Sequence, residues 1–203
     1  MSKIAAIILA AGGSTRFAGA GPSKVVAELA GMPLVRRVAD AALGSRARPV
    51  IVVTGHAATQ TAAALEGCDV EIIHAPDHAA GLSRSLRAGL RAAPATADGA
   101  IILLADMPLV ASTLIDRLID IFDAAPDAAA VVPTYDGRRG NPVLLARKLF
   151  AAVAALEGDR GASQILAKAE GVVECPVDDR SILADVDTLD DLRRLDAKRE
   201  IET

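Results

Sequence analysis

The run IAAIILAA, from Ile4 to Ala11, presents an apolar side chain at every position. A strand with one wet face alternates polar and apolar residues. A run that is apolar at both parities must be covered on both sides, as the central strand of a parallel sheet is. The same start, with Lys3 ahead of it and small residues behind, imitates a secretion signal. Its leading region holds one lysine, however, and the buried-strand reading accounts for the whole run.

Further strand-like runs recur along the chain: PVIVVTG (Pro49 to Gly55), VEIIHA (Val70 to Ala75), AIILLAD (Ala100 to Asp106) and AAVVPTY (Ala129 to Tyr135). Between them Leu34, Val35, Val38, Ala41 and Ala42, and again Leu114, Ile115, Leu118, Ile119 and Phe122, fall at helical spacing and give each helix one apolar stripe. Ser83 to Arg91 reads as a helix that gathers Arg84, Arg87 and Arg91 on one face. A last helix, from Thr188 to about Glu200, opens on a capping threonine with Asp190 and Asp191 in its first turn. Strands alternating with helices predict an α/β fold: a Rossmann-like three-layer α/β/α arrangement around a mostly parallel sheet. No repeat, charge block or long linker divides the sequence, so residues 1–203 are expected to form one domain.

Composition removes several classes of function. The aromatic residues are Phe17, Phe122, Phe150 and Tyr135, with no tryptophan, too few for base stacking on single-stranded nucleic acid. A formal net charge of −4 with scattered basic residues argues against a duplex-binding surface. No apolar run reaches the ~20 residues of a membrane span. Cys68 and Cys175 lie far apart and have no cysteine or histidine at metal-ligand spacing, which fits reduced thiols in a cytoplasmic protein. His74 and His78 stand four apart, but the intervening APD interrupts the helix that would pair them.

In an open parallel sheet, ligands bind beyond the carboxyl ends of the strands, so the residues that follow each strand carry the chemistry. After the first come Gly12 and Gly13, then Arg16 and Lys24, with no acidic residue between Lys3 and Ala27. Glycines that free backbone N–H groups, with one arginine and one lysine, suit a polyphosphate. Two familiar phosphate loops fail: Lys24 is preceded by Ser23 and followed by Val25, unlike a P-loop, and GAGPSK lacks the third glycine of the dinucleotide fingerprint. Asp106 ends a strand ahead of Met107 and Pro108, and ILADVDT supplies Asp185 and Asp187. One or two carboxylates together with substrate phosphates are the ligand set that Mg²⁺ favours, which makes Asp106 with Asp187 or Asp185 the candidate metal residues.

The segments LAAGGSTRF with the later lysine, GLSRSLRAGL, ADMPLV, GRRGNPVLL, GDRGAS and DVDTLDDL occur in this order from residue 4 to about 195. Together they resemble the successive motifs of the MobA-like nucleotidyltransferases, and within that family the molybdenum cofactor cytidylyltransferase branch. The resemblance implies a fold of the nucleotide-diphospho-sugar transferase type. It also implies Mg²⁺-dependent transfer of CMP from CTP to the terminal phosphate of molybdopterin or molybdenum cofactor, with release of pyrophosphate. Carried onto this chain, it gives nucleotide contacts to Leu9, Ala10, Ala11, Gly12 and Gly13, and to Ser83, Ser85 and Leu86 near base and ribose. Arg16, Lys24 and Asp106 are the implied catalytic group, with Arg16 and Lys24 on the triphosphate and Asp106 and Asp187 on the metal. Arg138, Arg139, Gly140, Asn141 and Pro142, with Gly158 to Ala162, would border the acceptor. The implied partners are the NTP, the phosphorylated acceptor and a client molybdoenzyme, with the chain a monomer or weak dimer.

Two departures from the family pattern stand out: Phe17 follows the loop arginine where methionine is usual, and Lys24 comes eight residues after Arg16, later than in relatives. Leu9-Ala10-Ala11-Gly12 resembles the cytidylyl rather than the guanylyl branch. The competing expectations are GTP as donor to the same cofactor, CTP with a sugar or polyol phosphate, and a non-catalytic nucleotide-binding accessory protein.

Overall fold

The computed structural model describes residues 1–12, 23–78, 81–156 and 162–201. The strands are β1 (Ile4–Ala10), β2 (Glu28–Leu29), β3 (Met32–Pro33), β4 (Val50–Thr54), β5 (Glu71–His74), β6 (Gly99–Leu104), β7 (Ala130–Tyr135), β8 (Arg138–Arg139), β9 (Val143–Ala146) and β10 (Val172–Pro176). The helices are α1 (Leu34–Leu43), α2 (Ala58–Ala64), α3 (Leu82–Ala92), α4 (Ser112–Ala124), α5 (Phe150–Ala154), α6 (Ser163–Leu166) and α7 (Leu189–Ile201). The main sheet runs β10-β7-β9-β6-β1-β4-β5, with β8 paired to β7. β1 lies parallel between β4 and β6, with Ile8 opposite both Val52 and Leu103. The expected α/β, mostly parallel, Rossmann-like architecture is the one observed.

The unbroken apolar run of β1 now has its explanation. Ile4, Ala6, Ile8 and Ala10 pack on one face with Val35 and Val38 of α1 and Ile115 and Leu118 of α4. Ala5, Ile7 and Leu9 pack on the other with Leu86 and Leu90 of α3 and Phe150 and Val153 of α5. Each large apolar side chain so buried contributes about 1.5–3 kcal/mol relative to exposure. On the second face α3 approaches so closely that a Cβ on Gly89 would lie 2.4 Å from Ile7 Cγ2. Glycine is there because the helix and the sheet leave no room for a side chain.

A third, smaller cluster sits beside the sheet. The β2–β3 hairpin turns through Ala30 (φ 49°) and Gly31 (φ 72°), and α7 closes over it. Ala27, Leu29, Leu34, Val186 and Leu192 form its core, and the Asp196 carboxylate accepts the Ala30 N–H at 2.8 Å. As the sequence predicts, Thr188 caps α7: its hydroxyl accepts the Asp191 N–H at 3.1 Å, and Asp191 Oδ2 accepts the Thr188 N–H at 2.9 Å.

The sheet departs from its sequence pattern at β9, which runs antiparallel to both β6 and β7. Strands β6 and β7 therefore still run the same way, and their carboxyl ends open on the same side as those of β1 and β4. Among the described residues, no helix is long and apolar enough to cross a membrane. Both cysteines are free thiols, Cys175 buried and Cys68 half-buried.

Candidate active site

At the carboxyl end of β1 the chain emerges through Leu9, Ala10 and Ala11, which are 7%, 2% and 3% exposed, to an exposed Gly12. Small residues are imposed by the neighbours. A Cβ on Gly55, just past β4, would lie 2.7 Å from the Ala11 carbonyl oxygen and 2.6 Å from the His78 ring. Gly13 and Arg16, both expected on the nucleotide, lie outside the described residues, as do Gly158, Asp159, Arg160 and Gly161 of the expected acceptor border.

The described chain resumes at Ser23, and Lys24 opens a short 3₁₀ turn, Lys24–Val26. Val25 anchors this turn in the apolar cluster of the first sheet face, while Lys24 is buried to 7% exposure. Its ammonium lies 2.7 Å from Asp106 Oδ2 and 2.5 Å from Asp187 Oδ1. Burial pulls the Lys24 pKa down, but charge attraction and hydrogen bonds from Asp106, then from Asp187, outweigh it and hold the value above 10.5. Beside it the Ser23 hydroxyl is buried without a hydrogen-bond partner.

Asp106 stands in the turn that follows β6, where the Met107 N–H returns to the Leu104 carbonyl at 3.1 Å. The second carboxylate arrives from far along the chain. The 3₁₀ turn Arg180–Leu183 leads into a strap along which Val186 N donates to the Asp106 carbonyl at 2.8 Å. Val186 is fully buried and Asp185 exposed. Of the two candidate aspartates in DVD, Asp187 is the one that meets Asp106 through Lys24.

The 3₁₀ turn ahead of the strap also reaches the expected acceptor segment. Asn141 N donates to the Ile182 carbonyl at 2.9 Å and Gly140 N to Pro133 at 2.9 Å. A Cβ on Gly140 would lie 2.3 Å from that Ile182 carbonyl. Arg138 and Arg139 lie exposed on β8 after a turn through Asp136 (φ 50°) and Gly137 (φ 71°), and Arg139 pairs with Glu174 at 3.0 Å. Pro142 is buried.

Of the residues expected near base and ribose, Ser83, Ser85 and Leu86 are 1%, 3% and 1% exposed in the first turns of α3. Leu86 belongs to the core under β1, and the Ser83 hydroxyl has no partner. Arg84 is drawn to Asp77 at 3.6 Å and Arg87 donates to the Leu156 carbonyl at 3.0 Å, so part of the expected basic face serves structure.

The sequence points Lys24 at the phosphates and carries no local signal for its bridge between the two carboxylates. The contacts of Val186 and Ile182 likewise join residues far apart along the chain. The signal for the latter was Gly140, a glycine at a place where the Ile182 carbonyl leaves no space.

No group of three or more His, Cys, Asp or Glu side chains among the described residues could hold a metal. The pair Asp106 and Asp187 nonetheless fits a divalent cation that shares its ligands with substrate. Both carboxylates already converge on one positive charge, that of Lys24, and a phosphate-bound Mg²⁺ takes one or two protein carboxylates. Together Lys24, Asp106 and Asp187 set one cation against two carboxylates, so a triphosphate needs further positive charge to enter.

Fold and site together define an α/β protein of Rossmann-like type with a cation position beyond its strand ends. The model of the MobA-like NTP transferase domain matches residues 6–173, and the chain belongs to that family. It is 33% identical over 141 residues to the bifunctional protein GlmU of Sorangium cellulosum, a match covering 66% of this chain and 29% of that one. It is 36% identical over 107 residues to the 3-deoxy-manno-octulosonate cytidylyltransferase of Verminephrobacter eiseniae, covering 53% of this chain and 39% of that one. The chain thus spans well under half the length of these curated relatives. The crystal structure of Rv0371c from Mycobacterium tuberculosis H37Rv superposes with a TM-score of 0.81 at 30% identity, over 96% of this chain and 97% of that one. A manganese complex of the same protein superposes at 0.78.

Proposed function

We propose that this protein is a nucleotidyltransferase that moves CMP from CTP to the terminal phosphate of molybdopterin or molybdenum cofactor and releases pyrophosphate. The observation that carries the reading is the convergence of Asp106 and Asp187 on one cation at the carboxyl ends of the strands. Membership of an NTP transferase family supports the reaction class, and the cytidylyltransferase relative supports the nucleotide. The acceptor rests on the motif resemblance of the sequence, which points to CTP as well.

The chemistry needs no protein nucleophile. The acceptor phosphate is already an anion: one of its oxygens bonds to the α-phosphorus of CTP, the bond to the bridging oxygen breaks, and pyrophosphate carries away the charge. The protein's contribution is alignment and charge neutralisation. Ala10, Ala11, Gly12 and Gly13 would present backbone to the nucleotide, while Arg16 and Lys24 would meet the triphosphate. Asp106 and Asp187 would hold Mg²⁺, which supplies neutralising charge to the phosphate oxygens. The exposed Arg138 and Arg139, with Gly140, Asn141 and Pro142, would receive the acceptor, and Ser83 and Ser85 would lie toward the ribose. On this reading residues 1–203 act as one cytoplasmic catalytic domain, a monomer or weak dimer, which delivers its product to a client molybdoenzyme.

A second reading, CTP with a sugar acid as acceptor, is favoured by the 3-deoxy-manno-octulosonate cytidylyltransferase relative. Pyrophosphate release from a panel of nucleotides and acceptors separates the two. The proposal expects turnover with CTP, Mg²⁺ and molybdenum cofactor, reduced about 10²-fold or more by Asp106→Ala. Turnover with a sugar acceptor alone assigns the second reading. Absence of any Mg²⁺-dependent CTP or GTP binding in a thermal shift excludes both.

A further inference from the structure

Lys24 is placed where a phosphate-binding lysine has no obvious reason to be. Its ammonium sits 2.7 Å from Asp106 and 2.5 Å from Asp187, buried, beyond the strand ends. A small divalent cation held by the same two oxygens needs them about 2.1 Å away, and therefore needs the same volume. An ammonium and a dication cannot share it: at contact distance in a partly buried site their repulsion is strong, and each carboxylate lobe that faces Lys24 is already engaged.

We propose that the Lys24 ammonium is the resident counter-cation of the Asp106–Asp187 pair, and that metal loading displaces it toward the incoming phosphates. The inference rests on the metal reading above and adds an order of events to it. In the free protein the lysine neutralises two carboxylates that would otherwise repel one another. It also keeps a bare metal out. A metal that arrives with a polyphosphate overcomes the lysine because the ammonium then gains a new anionic partner.

The structure supports such a move in two ways. The lysine stem has four flexible methylenes, so its head can travel several ångströms while the backbone stays. The backbone itself is pinned: Val26 N donates to the Ser23 carbonyl at 2.9 Å, Leu34 N to the Ala27 carbonyl at 2.9 Å, and Val25 is in the core. The swing is one of rotamers rather than of a loop. The consequence is that metal and nucleotide enter together, and that metal alone binds weakly even though both its carboxylates are in place.

The prediction is a change of sign. Lys24→Met removes the competing charge, so without nucleotide it should bind Mn²⁺ more tightly than wild type, by roughly tenfold or more, as read from the free Mn²⁺ signal in electron paramagnetic resonance. With CTP present the same substitution should weaken the Mn²⁺–nucleotide complex, because the phosphates no longer have an ammonium to meet. Lys24→Met/Asp106→Asn tests location: the tightening must vanish. Lys24→Gln, polar and neutral, serves as the second variant and should show the same tightening. Folding is followed in the same samples, where Mn²⁺ should raise the melting temperature of Lys24→Met more than that of wild type.

Mn²⁺ affinity that is unchanged or weakened in both Lys24 variants without nucleotide overturns the displacement. If Asp106→Asn in the wild-type background still abolishes Mn²⁺–nucleotide binding, the metal reading survives that result. If it does not, the metal reading fails as well.

Discussion

Val186 donates its backbone N–H to the backbone carbonyl of Asp106 at 2.8 Å. The second carboxylate of the site therefore hangs from the first by main chain, one residue from the hydrogen bond. Four residues earlier the Ile182 carbonyl accepts Asn141 N. One continuous segment, the 3₁₀ turn Arg180–Leu183 and the strap that follows it, thus registers the Arg138–Pro142 segment, Asp106 and Asp187 against one another. Side-chain flexibility enters only at the last step, where Lys24 closes the pair.

That segment can be disturbed at one atom. A methyl group on Gly140 would come within 2.3 Å of the Ile182 carbonyl, a backbone oxygen that cannot rotate aside. Gly140→Ala is expected to lower stability by about 1–3 kcal/mol. It should also reduce metal-dependent turnover roughly tenfold by shifting Asp187. Denaturant unfolding and pyrophosphate release, each corrected for the folded fraction, check the two effects separately.

Gly89 provides the contrast. Its missing Cβ would lie 2.4 Å from Ile7 Cγ2 and 3.1 Å from Val53 Cγ2, deep under β1 and β4. Gly89→Ala should cost about 1–3 kcal/mol through overpacking. The folded remainder should bind nucleotide and metal as before, which a thermal melt paired with isothermal titration will show.

Leu192 holds α7 to the hairpin that carries the chain on from Lys24, within the cluster of Ala27, Leu29, Leu34 and Val186. Leu192→Ala is expected to destabilise by about 2–3 kcal/mol, toward the low end for such truncations because the cluster is small. Hydrogen exchange should then rise first at residues 186–192 and 27–34, before the main sheet opens. Uniform loss of protection across the sheet would contradict the assignment of α7 as a local clasp.

Lys24 also gives the protein a defined alkaline limb. Burial lowers its pKa, but Asp106 and Asp187 raise it further, leaving it above 10.5 when folded. The folded state therefore binds this proton more tightly than the unfolded chain. The stability so gained is fully present below the unfolded value and is lost as pH rises through the folded one. Denaturant midpoints of wild type and Lys24→Met should differ by a constant amount across neutral pH and converge above about pH 10.5. A gap that closes in the acid range instead would place the linkage on other groups.

Much of this was legible in the sequence. The two-sided apolar run at Ile4 to Ala11 specified a central strand, and the alternation that followed specified the α/β class, because both follow from periodicity alone. Thr188 as a cap was readable for the same local reason; Asp106 reads in the sequence as the last residue of its strand, which in fact stops at Leu104 and leaves Asp106 in the following turn. What escaped was non-local. β9 is a four-residue apolar stretch, Val143–Ala146, too short for its direction to be inferred, and its antiparallel insertion depends on the partners β6 and β7. The choice of Asp187 over Asp185 depends on which of the two carboxylates the Lys24 ammonium reaches, a contact made only in the folded chain. The capture of Lys24 by two carboxylates joins positions 163 residues apart, and no pattern along the chain encodes such a contact.

That separation has a consequence for synthesis. On the ribosome, Lys24 and Asp106 are both available long before Asp187 emerges, and β7, β8, β9 and β10 are made in between. An incomplete chain therefore holds the first cation–carboxylate pair without the second. It holds every strand of the β6-β1-β4-β5 half of the sheet, yet it has neither the strap nor the clasp that α7 supplies. The site closes only once the segment that carries Asp187 has left the exit tunnel. A nascent chain arrested short of residue 187 should gather its sheet and still be unable to grip a metal-bound nucleotide.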